Sequence, residues 1–167
     1  YVGGIEYLHS DNSMRFDTSA VERLRIDGSG NVGIGVTPEA WSGYYPVLQI
    51  GDRGSIAHWA NDSISIGDNW YYASGNKRIE AGYAPRIQLA SATGKIYFDI
   101  ADTGAADSAI TWSTKMIILP NGNVGIGTTS PNNPLTVAGN LLVTTTVGDG
   151  QEDRFKVVGG GSGDDGN

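Results

Sequence analysis

Short runs of apolar residues alternate with glycine-rich turns along the chain. Several runs have the two-residue period of strands that bury one face, as at Leu135 and Val137 and at Phe155 and Val157. Asn-Gly, Asp-Gly and single glycines separate the runs, which is typical of all-β folds. The pattern therefore predicts strands and hairpins, with no long helix. The predicted strands lie near Gly4–Leu8, Ser13–Phe16, Glu22–Ile26, Val47–Ile50, Ile56–Trp59, Ser63–Ile66, Trp70–Tyr72, Arg86–Leu89, Lys95–Ile100, Ala109–Trp112, Met116–Leu119, Leu135–Val137 and Leu141–Thr146.

The segment GNVGIG occurs twice, at Gly30–Gly35 and at Gly122–Gly127. In the first copy Gly28 completes the pattern G-x-G-x-x-G, which can mark a dinucleotide-binding loop between a strand and a helix. The second copy has Pro120 at that place, and no helical pattern follows either copy, so we reject a nucleotide site. Both copies keep an apolar strand, a turn and a short NVGIG strand, which predicts a β-hairpin. Its turn residues are predicted to be Gly30, Asn31, Gly122 and Asn123.

Composition narrows the classes of function. The chain of 167 residues has 25 glycines, no cysteine and a formal net charge of -7. Without a basic stripe, binding to nucleic acid is disfavoured, and no apolar run is long enough for membrane insertion. The sequence indicates no cofactor. Because short strands with little apolar surface are marginal in a lone chain, we expect identical chains to stack around a threefold axis.

The repeats suggest a division into modules. Residues 1–37 are predicted to be the C-terminal part of a first β module, and residues 38–46 a connector. Residues 47–131 form a complete second β module, and residues 132–167 begin a third, shaft-like repeat. The segment RFKVVGGGSGD (Arg154–Asp164) resembles RLRIDGSGN of the first copy and stops before its second strand. We therefore expect the chain to continue in a parent protein.

The two repeats resemble the modules of bacteriophage tail fibre proteins. The resemblance is carried by HSDNSMRFDTSAVERLRIDGSGNVGIGVTP (His9–Pro38) and DSAITWSTKMIILPNGNVGIGTTSP (Asp107–Pro131), which are similar to the recurring pattern E-R-[LM]-R-I-D-x-x-G-N-V-G-I-G-T-T-S-P. Asn69–Trp112 and the segment LTVAGNLLVTTTV (Leu135–Val147) also resemble segments of these fibres. The second copy departs from the pattern at Ile117 and at Leu119-Pro120, where Arg and Asp-x are usual.

The resemblance implies an elongated, all-β homotrimer of short hairpin modules, located in the tail fibre of a virion and exposed to the extracellular medium. Its expected role is a structural, non-enzymatic part of the host-attachment apparatus. The implied partners are two further copies of the chain, other tail or baseplate proteins, and a glycan or protein of the host surface. Many such fibres end in an intramolecular chaperone, of which this sequence shows no sign. Three alternatives stay open, a receptor-binding domain for surface polysaccharide, a tailspike that cleaves polysaccharide, and a bacterial surface adhesin built from the same repeats.

An aromatic group between the two repeats is the main candidate for ligand binding. Its rings could stack on the faces of sugars, or they could fill the core or the trimer interface. If any are exposed, we expect them to be Trp70, Tyr71 and Tyr72, since three adjacent side chains cannot all face one core. Trp59 is a further candidate for glycan contact. The complete group is Trp59, Trp70, Tyr71, Tyr72, Tyr83 and Trp112.

Other chemistry is only weakly indicated, and we expect no catalytic and no metal site. GGSGDD (Gly160–Asp165) is similar to a calcium-binding repeat but lacks a spacer residue, and DGQED (Asp149–Asp153) is better read as a solvated loop. Glycoside hydrolysis needs two carboxylates at a fixed separation, and no motif selects a pair. The available carboxylates are Asp62, Asp68, Glu80 and Asp99. His9 and His58, the only histidines, are expected at a turn or an interface.

Overall fold

The computed structural model describes residues 2–43, 46–59 and 62–142. This part of the chain contains fourteen strands and no helix, which confirms the all-β prediction. Consistently, it contains no helix that could span a membrane. The strands are β1 (Gly3–Leu8), β2 (Ser13–Thr18), β3 (Val21–Ile26), β4 (Val32–Ile34), β5 (Leu48–Ile50), β6 (Gly54–Trp59), β7 (Ser63–Asp68), β8 (Tyr71–Tyr72), β9 (Asn76–Lys77), β10 (Gly82–Ala90), β11 (Lys95–Gly104), β12 (Ser113–Ile118), β13 (Val124–Ile126) and β14 (Leu135–Val137).

Twelve of the strands form one sheet in chain order, and only the β8–β9 hairpin stands outside it. Strand β7 therefore pairs directly with β10, and the sheet runs without interruption across the predicted module boundaries near residues 37 and 47. Twelve strands at the usual spacing of about 4.8 Å make the sheet roughly 50 Å long across its strands. Since the strands are short, the long axis of the sheet is perpendicular to them.

Each GNVGIG segment closes a β-hairpin, as predicted. β3 pairs antiparallel with β4, and β12 with β13. In the first turn the Gly30 amide donates to the Asp27 carbonyl oxygen at 2.9 Å, and in the second the Gly122 amide donates to Leu119 at the same distance. Gly30 and Gly122 have φ values of 87° and 86°, which is the left-handed position of a three-residue hairpin loop.

After each hairpin the chain returns to add a parallel strand, which the sequence did not predict. β5 lies parallel to β4, and β14 lies parallel to β13. The returning loop passes directly over the central glycine of each NVGIG strand. A Cβ atom on Gly33 would lie 2.1 Å from the Val36 carbonyl oxygen, and one on Gly125 would lie 2.4 Å from that of Thr128. The absent side chain therefore makes room for the loop.

Strands β10 to β14 repeat the arrangement of β1 to β5. In both copies the register shifts at the same Phe-Asp pair, between Phe16 and Asp17 and between Phe98 and Asp99. The order of pairings is also the same, three antiparallel contacts followed by one parallel contact. The similarity seen in sequence is therefore a similarity of strand register.

One face of the sheet is lined by aliphatic and aromatic side chains, and we call it the aliphatic face. One apolar residue from each of the twelve strands occupies successive register positions across the whole sheet. Several are substantially exposed, such as Ile66 (51%) and Ile87 (40%). The row consists of Tyr7, Met14, Ile26, Val32, Leu48, Ile56, Ile66, Ile87, Phe98, Met116, Ile126 and Val137.

The opposite face carries small and polar residues, and the chain covers the central part of it with its own loops. The buried core lies between that face and the segments around Trp41, residues 69–81 and residues 105–112. Small sheet residues such as Ala57, Ala84 and Ala101 leave space for large rings. The core residues are Trp41, Val47, Ala57, Trp70, Tyr71, Ala84, Ala101 and Ile110.

Three strand predictions differ from the structure in whole or in part. Residues 109–112 form no strand; only Ala109 makes an isolated bridge, to Lys77. The predicted strand Trp70–Tyr72 is reduced to Tyr71–Tyr72, because Asn69 takes a left-handed conformation with φ of 57° and ends β7 with a bend. Both segments serve as cover for the core. Of the predicted strand Leu141–Thr146, Leu141 and Leu142 are not in a strand, and the rest lies outside the described residues.

Candidate functional site

Three buried aromatic residues, Trp41, Trp70 and Tyr71, form a cluster with the half-buried Trp112 on the face of the sheet that carries small and polar residues. The ring of Trp70 lies edge-on to that of Trp41, with centroids 5.2 Å apart, and to that of Trp112, with centroids 6.0 Å apart. Tyr71 packs against Trp41 at 6.3 Å. The Trp70 indole nitrogen donates to the Asn76 side-chain oxygen at 2.8 Å. This cluster is the centre of the hydrophobic core.

Of the two readings of the aromatic group, the one in which the rings fill the core holds for Trp70 and Tyr71, and the choice of these two as the rings to be exposed is wrong. Trp70 is 0% exposed and Tyr71 is 5% exposed, so neither ring offers a free face. In a regular strand, successive side chains point to opposite faces, so three adjacent aromatic residues could not share one core. The bend at Asn69 interrupts the strand just before Trp70, and the alternation does not apply there. Trp41, in the predicted connector, completes the cluster and was not among the sequence candidates. A lone tryptophan in a loop is the signal that could have identified it.

Trp59 and Tyr72, the other two candidates, lie together at the edge of a groove. Both are half-buried, and their ring centroids are 5.5 Å apart with planes inclined at 67°. Gly43 packs against both rings, since a Cβ atom there would lie 3.3 Å from Trp59 and 3.5 Å from Tyr72. The groove, about 480 Å³ in volume, also includes the half-buried ring of Tyr97. The sequence analysis did not identify Tyr97 as a candidate.

A network of polar groups connects the core to the floor of this groove. Arg86 Nε donates to a carboxylate oxygen of Asp99 at 3.0 Å, and Arg86 also donates to Gln88 Oε1 at 3.2 Å. Gln88 Nε2 in turn donates to Ser63 Oγ at 3.0 Å. The guanidinium carbon of Arg86 lies 4.0 Å from the ring centroid of Trp112. The buried charge is thus paired, and the amide of Gln88 is held in one orientation.

The other candidate carboxylates do not gather with Asp99 into a catalytic pair. Asp99 is 3% exposed and bonded to Arg86 and Thr114, while Asp62 is exposed at the groove. Asp68 and Glu80 each approach Arg53, at 3.9 and 4.0 Å. Within the described ranges no three acidic or histidine side chains gather as metal ligands.

Both histidines are exposed. His9 packs edge-on against Tyr7, with ring centroids 4.7 Å apart, and His58 is on β6.

The asparagines of the two hairpin turns act through their side chains. Asn31 is buried; its Nδ2 donates to Asp27 at 2.8 Å and its Oδ1 accepts from the Val47 amide at 3.2 Å. Asn123 Nδ2 donates to the Pro131 carbonyl oxygen at 3.2 Å. Each asparagine therefore fastens its hairpin to the returning loop. The acidic segments at Asp149–Asp153 and Gly160–Asp165 lie outside the described residues.

Tyr71 makes the core sensitive to alkaline pH. Its hydroxyl donates to Asp107 at 2.6 Å, and burial together with this negative neighbour raises the pKa of Tyr71 to about 12 from 10.0. In the unfolded chain the tyrosine loses its proton near pH 10, whereas in the folded chain it keeps it. The unfolded state therefore binds fewer protons between these values, and stability falls as the pH rises through them.

We expect this ionisation to cost about 2 kcal/mol of unfolding free energy between pH 9 and pH 12. Urea unfolding at pH 9, 10.5 and 12 measures the loss. Tyr71→Phe, which removes the titrating group, should unfold more easily at pH 9 and lose correspondingly less stability on going to pH 12. If the wild type and Tyr71→Phe lost the same unfolding free energy between pH 9 and pH 12, the assignment of the loss to Tyr71 would be contradicted.

No protein-family model matches the chain, and no curated protein matches it in sequence.

Proposed function

We propose that this chain is a structural shaft module of a bacteriophage tail fibre, assembled as a homotrimer and exposed on the virion for attachment to a host cell. The observation that carries the proposal is the uncovered aliphatic face. Sequence supports it through the paired NVGIG repeats, which resemble those of tail fibre shafts. The role is mechanical, since repeated hairpins set length and stiffness, and several copies of a fibre raise avidity for the host surface.

The two faces of the sheet explain why other copies are needed. A sheet of a soluble protein normally buries its apolar face against its own chain and leaves the polar face in water. Here the chain's own loops cover the central part of the polar, small-residue face, while Ile66, Ile87 and their neighbours on the other face remain exposed. A continuous apolar surface of this extent is typical of an interaction site. The row of twelve residues gives it the length of the whole sheet.

A threefold arrangement covers this surface with identical copies. Three sheets that turn their aliphatic faces inward enclose a prism, in which each row of apolar residues meets the rows of its two neighbours. The strands then lie across the axis, and each further module adds length. The loops that carry the aromatic core lie on the outside of the prism.

Sedimentation velocity tests the assembly directly. At micromolar concentration we expect the wild type to sediment as a species of three times the 17.6 kDa of one chain. Ile87→Lys should abolish this species, because a lysine that water solvates in the single chain would be buried among apolar side chains in the trimer. Thr111→Lys is the matched control, since Thr111 is exposed on the loop that covers the other face.

A folded wild-type monomer or dimer would contradict the trimer. So would a trimer that forms equally well with Ile87→Lys. Circular dichroism of each variant distinguishes loss of assembly from loss of folding.

A further inference from the structure

From the geometry of the groove beside the core, we infer that it binds a neutral, pyranose-containing polysaccharide. Three half-buried aromatic rings line it, Trp59, Tyr72 and Tyr97. Its volume of about 480 Å³ lies within the range of about 300–1,000 Å³ found for small-molecule sites. The inference rests on the attachment role proposed above and gives that role a specific ligand class and location.

The rings supply the apolar part of sugar recognition. A pyranose ring presents C–H groups on its faces, and these pack against the electron-rich face of an aromatic side chain. Trp59 and Tyr72 are inclined at 67° to each other, so that they form two walls rather than one flat stack. Tyr97 comes from β11, beyond the strand that supplies Gln88. The three rings therefore reach the groove from separate elements.

The polar groups of the groove suit the hydroxyls of a sugar. Gln88 lies on the floor, where its bonds to Arg86 and Ser63 fix the plane of its amide. The Asn76 oxygen accepts from the Trp70 indole, which leaves the amide NH₂ group to donate. The Asp62 carboxylate is exposed at the rim and can accept from hydroxyls. The amides of Gln88 and Asn76 are held by hydrogen bonds before a ligand arrives, which lowers the entropic cost of binding.

Charge favours a neutral sugar over an acidic one. Arg86, the one cation among the described residues that line the groove, is neutralised by Asp99 at 3.0 Å, and its side chain is only 10% exposed. Asp62 adds a negative charge at the rim, and the whole chain has a formal net charge of -7. A sialic acid or uronic acid carboxylate would meet this negative charge, and the described lining residues offer it no unpaired cation.

The groove also stays open in the proposed trimer. Its floor residues Ser63, Gln88 and Tyr97 alternate along their strands with Ile64, Leu89 and other residues of the aliphatic face. Successive side chains of a strand point to opposite faces, so the groove lies on the side away from the threefold axis. A polysaccharide can reach it from solution.

An array of printed oligosaccharides tests the inference with the whole chain. The probes are neutral gluco-, galacto-, manno- and rhamno-oligosaccharides, with sialylated and uronic acid oligosaccharides beside them. We expect binding to at least one neutral series and none to the acidic ones. For the best neutral probe, titration should show that Tyr97→Leu and Trp59→Ala each weaken binding by about tenfold.

Two further variants separate ring contact from loss of folding. Tyr97→Phe keeps the ring and should bind like the wild type, whereas Tyr97→Leu keeps only apolar bulk. Tyr83→Ala is the aromatic control, because Tyr83 is exposed and does not line the groove. Wild-type protein that binds no neutral probe, binds only acidic ones, or keeps its affinity in both Tyr97→Leu and Trp59→Ala would overturn the inference.

Sedimentation of the same samples keeps this result distinct from the shaft proposal. A trimer that binds no sugar overturns the glycan site alone. A folded monomer that binds neutral sugar through Tyr97 overturns the trimeric shaft alone.

Discussion

Arg86→Ala should lower the free energy of unfolding by about 3–5 kcal/mol, because it leaves a buried carboxylate without its counter-charge. Asp99 is 3% exposed and is the direct register partner of Arg86 across β10 and β11. Its second oxygen accepts from Thr114 Oγ1 at 2.7 Å, which orients the carboxylate but adds no positive charge. The substitution also removes the guanidinium that packs on the ring of Trp112.

Urea unfolding at a fixed protein concentration measures the loss of unfolding free energy in Arg86→Ala. A double-mutant cycle with Asp99 shows how much of that loss comes from the ion pair. Asp99→Asn removes the charge that Arg86 compensates, so Arg86→Ala should cost less in that background than in the wild type. Arg53→Ala is the surface control. Its ion-pair distances are 3.9 and 4.0 Å and its side chain is half exposed, so we expect a change below about 1 kcal/mol. Equal costs for Arg86→Ala and Arg53→Ala would refute the buried-pair account.

The hairpins could be predicted from sequence because their determinants are local. A turn glycine, flanking apolar residues and an exact repeat are all visible within a dozen positions. The second copy at Gly122–Gly127 was decisive, since it retained the hairpin residues and lost the first glycine of the nucleotide pattern. The structure bears this out with equal turn geometry at Gly30 and Gly122.

The aromatic core could not be predicted in the same way, because it depends on contacts between distant segments. Trp41 and Trp70 are separated by β5, β6 and β7, and no local pattern indicates that they meet. The positive φ of Asn69 redirects the chain at a single residue and reverses the expected exposure of Trp70.

The pairing of Arg86 with Asp99 requires the register of two strands, which composition does not reveal.

The aliphatic face could be predicted from the sequence only in part. Its period of two is visible within single strands, as in Ile64 and Ile66 or Ile87 and Leu89. What the sequence does not show is that every such strand joins one sheet, or that loops bury the alternate residues of its central strands. The amphipathic pattern alone would suggest that the apolar face points into the chain's own core. In the structure the apolar face instead points away from the core of its own chain and is exposed.

Alanine at the centre of either NVGIG strand should destabilise the fold by about 3 kcal/mol, because the new methyl group would overlap the returning loop. At Gly33 the Cβ would lie 2.1 Å from a carbonyl oxygen and 2.9 Å from Pro38 Cδ; at Gly125 it would lie 2.4 Å from a carbonyl oxygen. These neighbours are backbone and ring atoms, which cannot rotate away as a flexible side chain could. Relief would require the loop to lift from the sheet and the parallel strand to separate.

Gly35→Ala separates this overlap from the ordinary cost of replacing glycine. Gly35 has a φ of 71° but no atom within 4 Å of a Cβ, so alanine there should cost only about 1 kcal/mol of backbone strain. Urea unfolding of Gly33→Ala, Gly125→Ala and Gly35→Ala gives the comparison, and hydrogen exchange at the Val32 and Val124 amides reports the parallel pairing. Those amides donate to Val47 and Pro134 in the returning loops, and both should exchange faster in their own variant. Equal destabilisation at all three positions would show that glycine is retained for conformational freedom rather than for close packing.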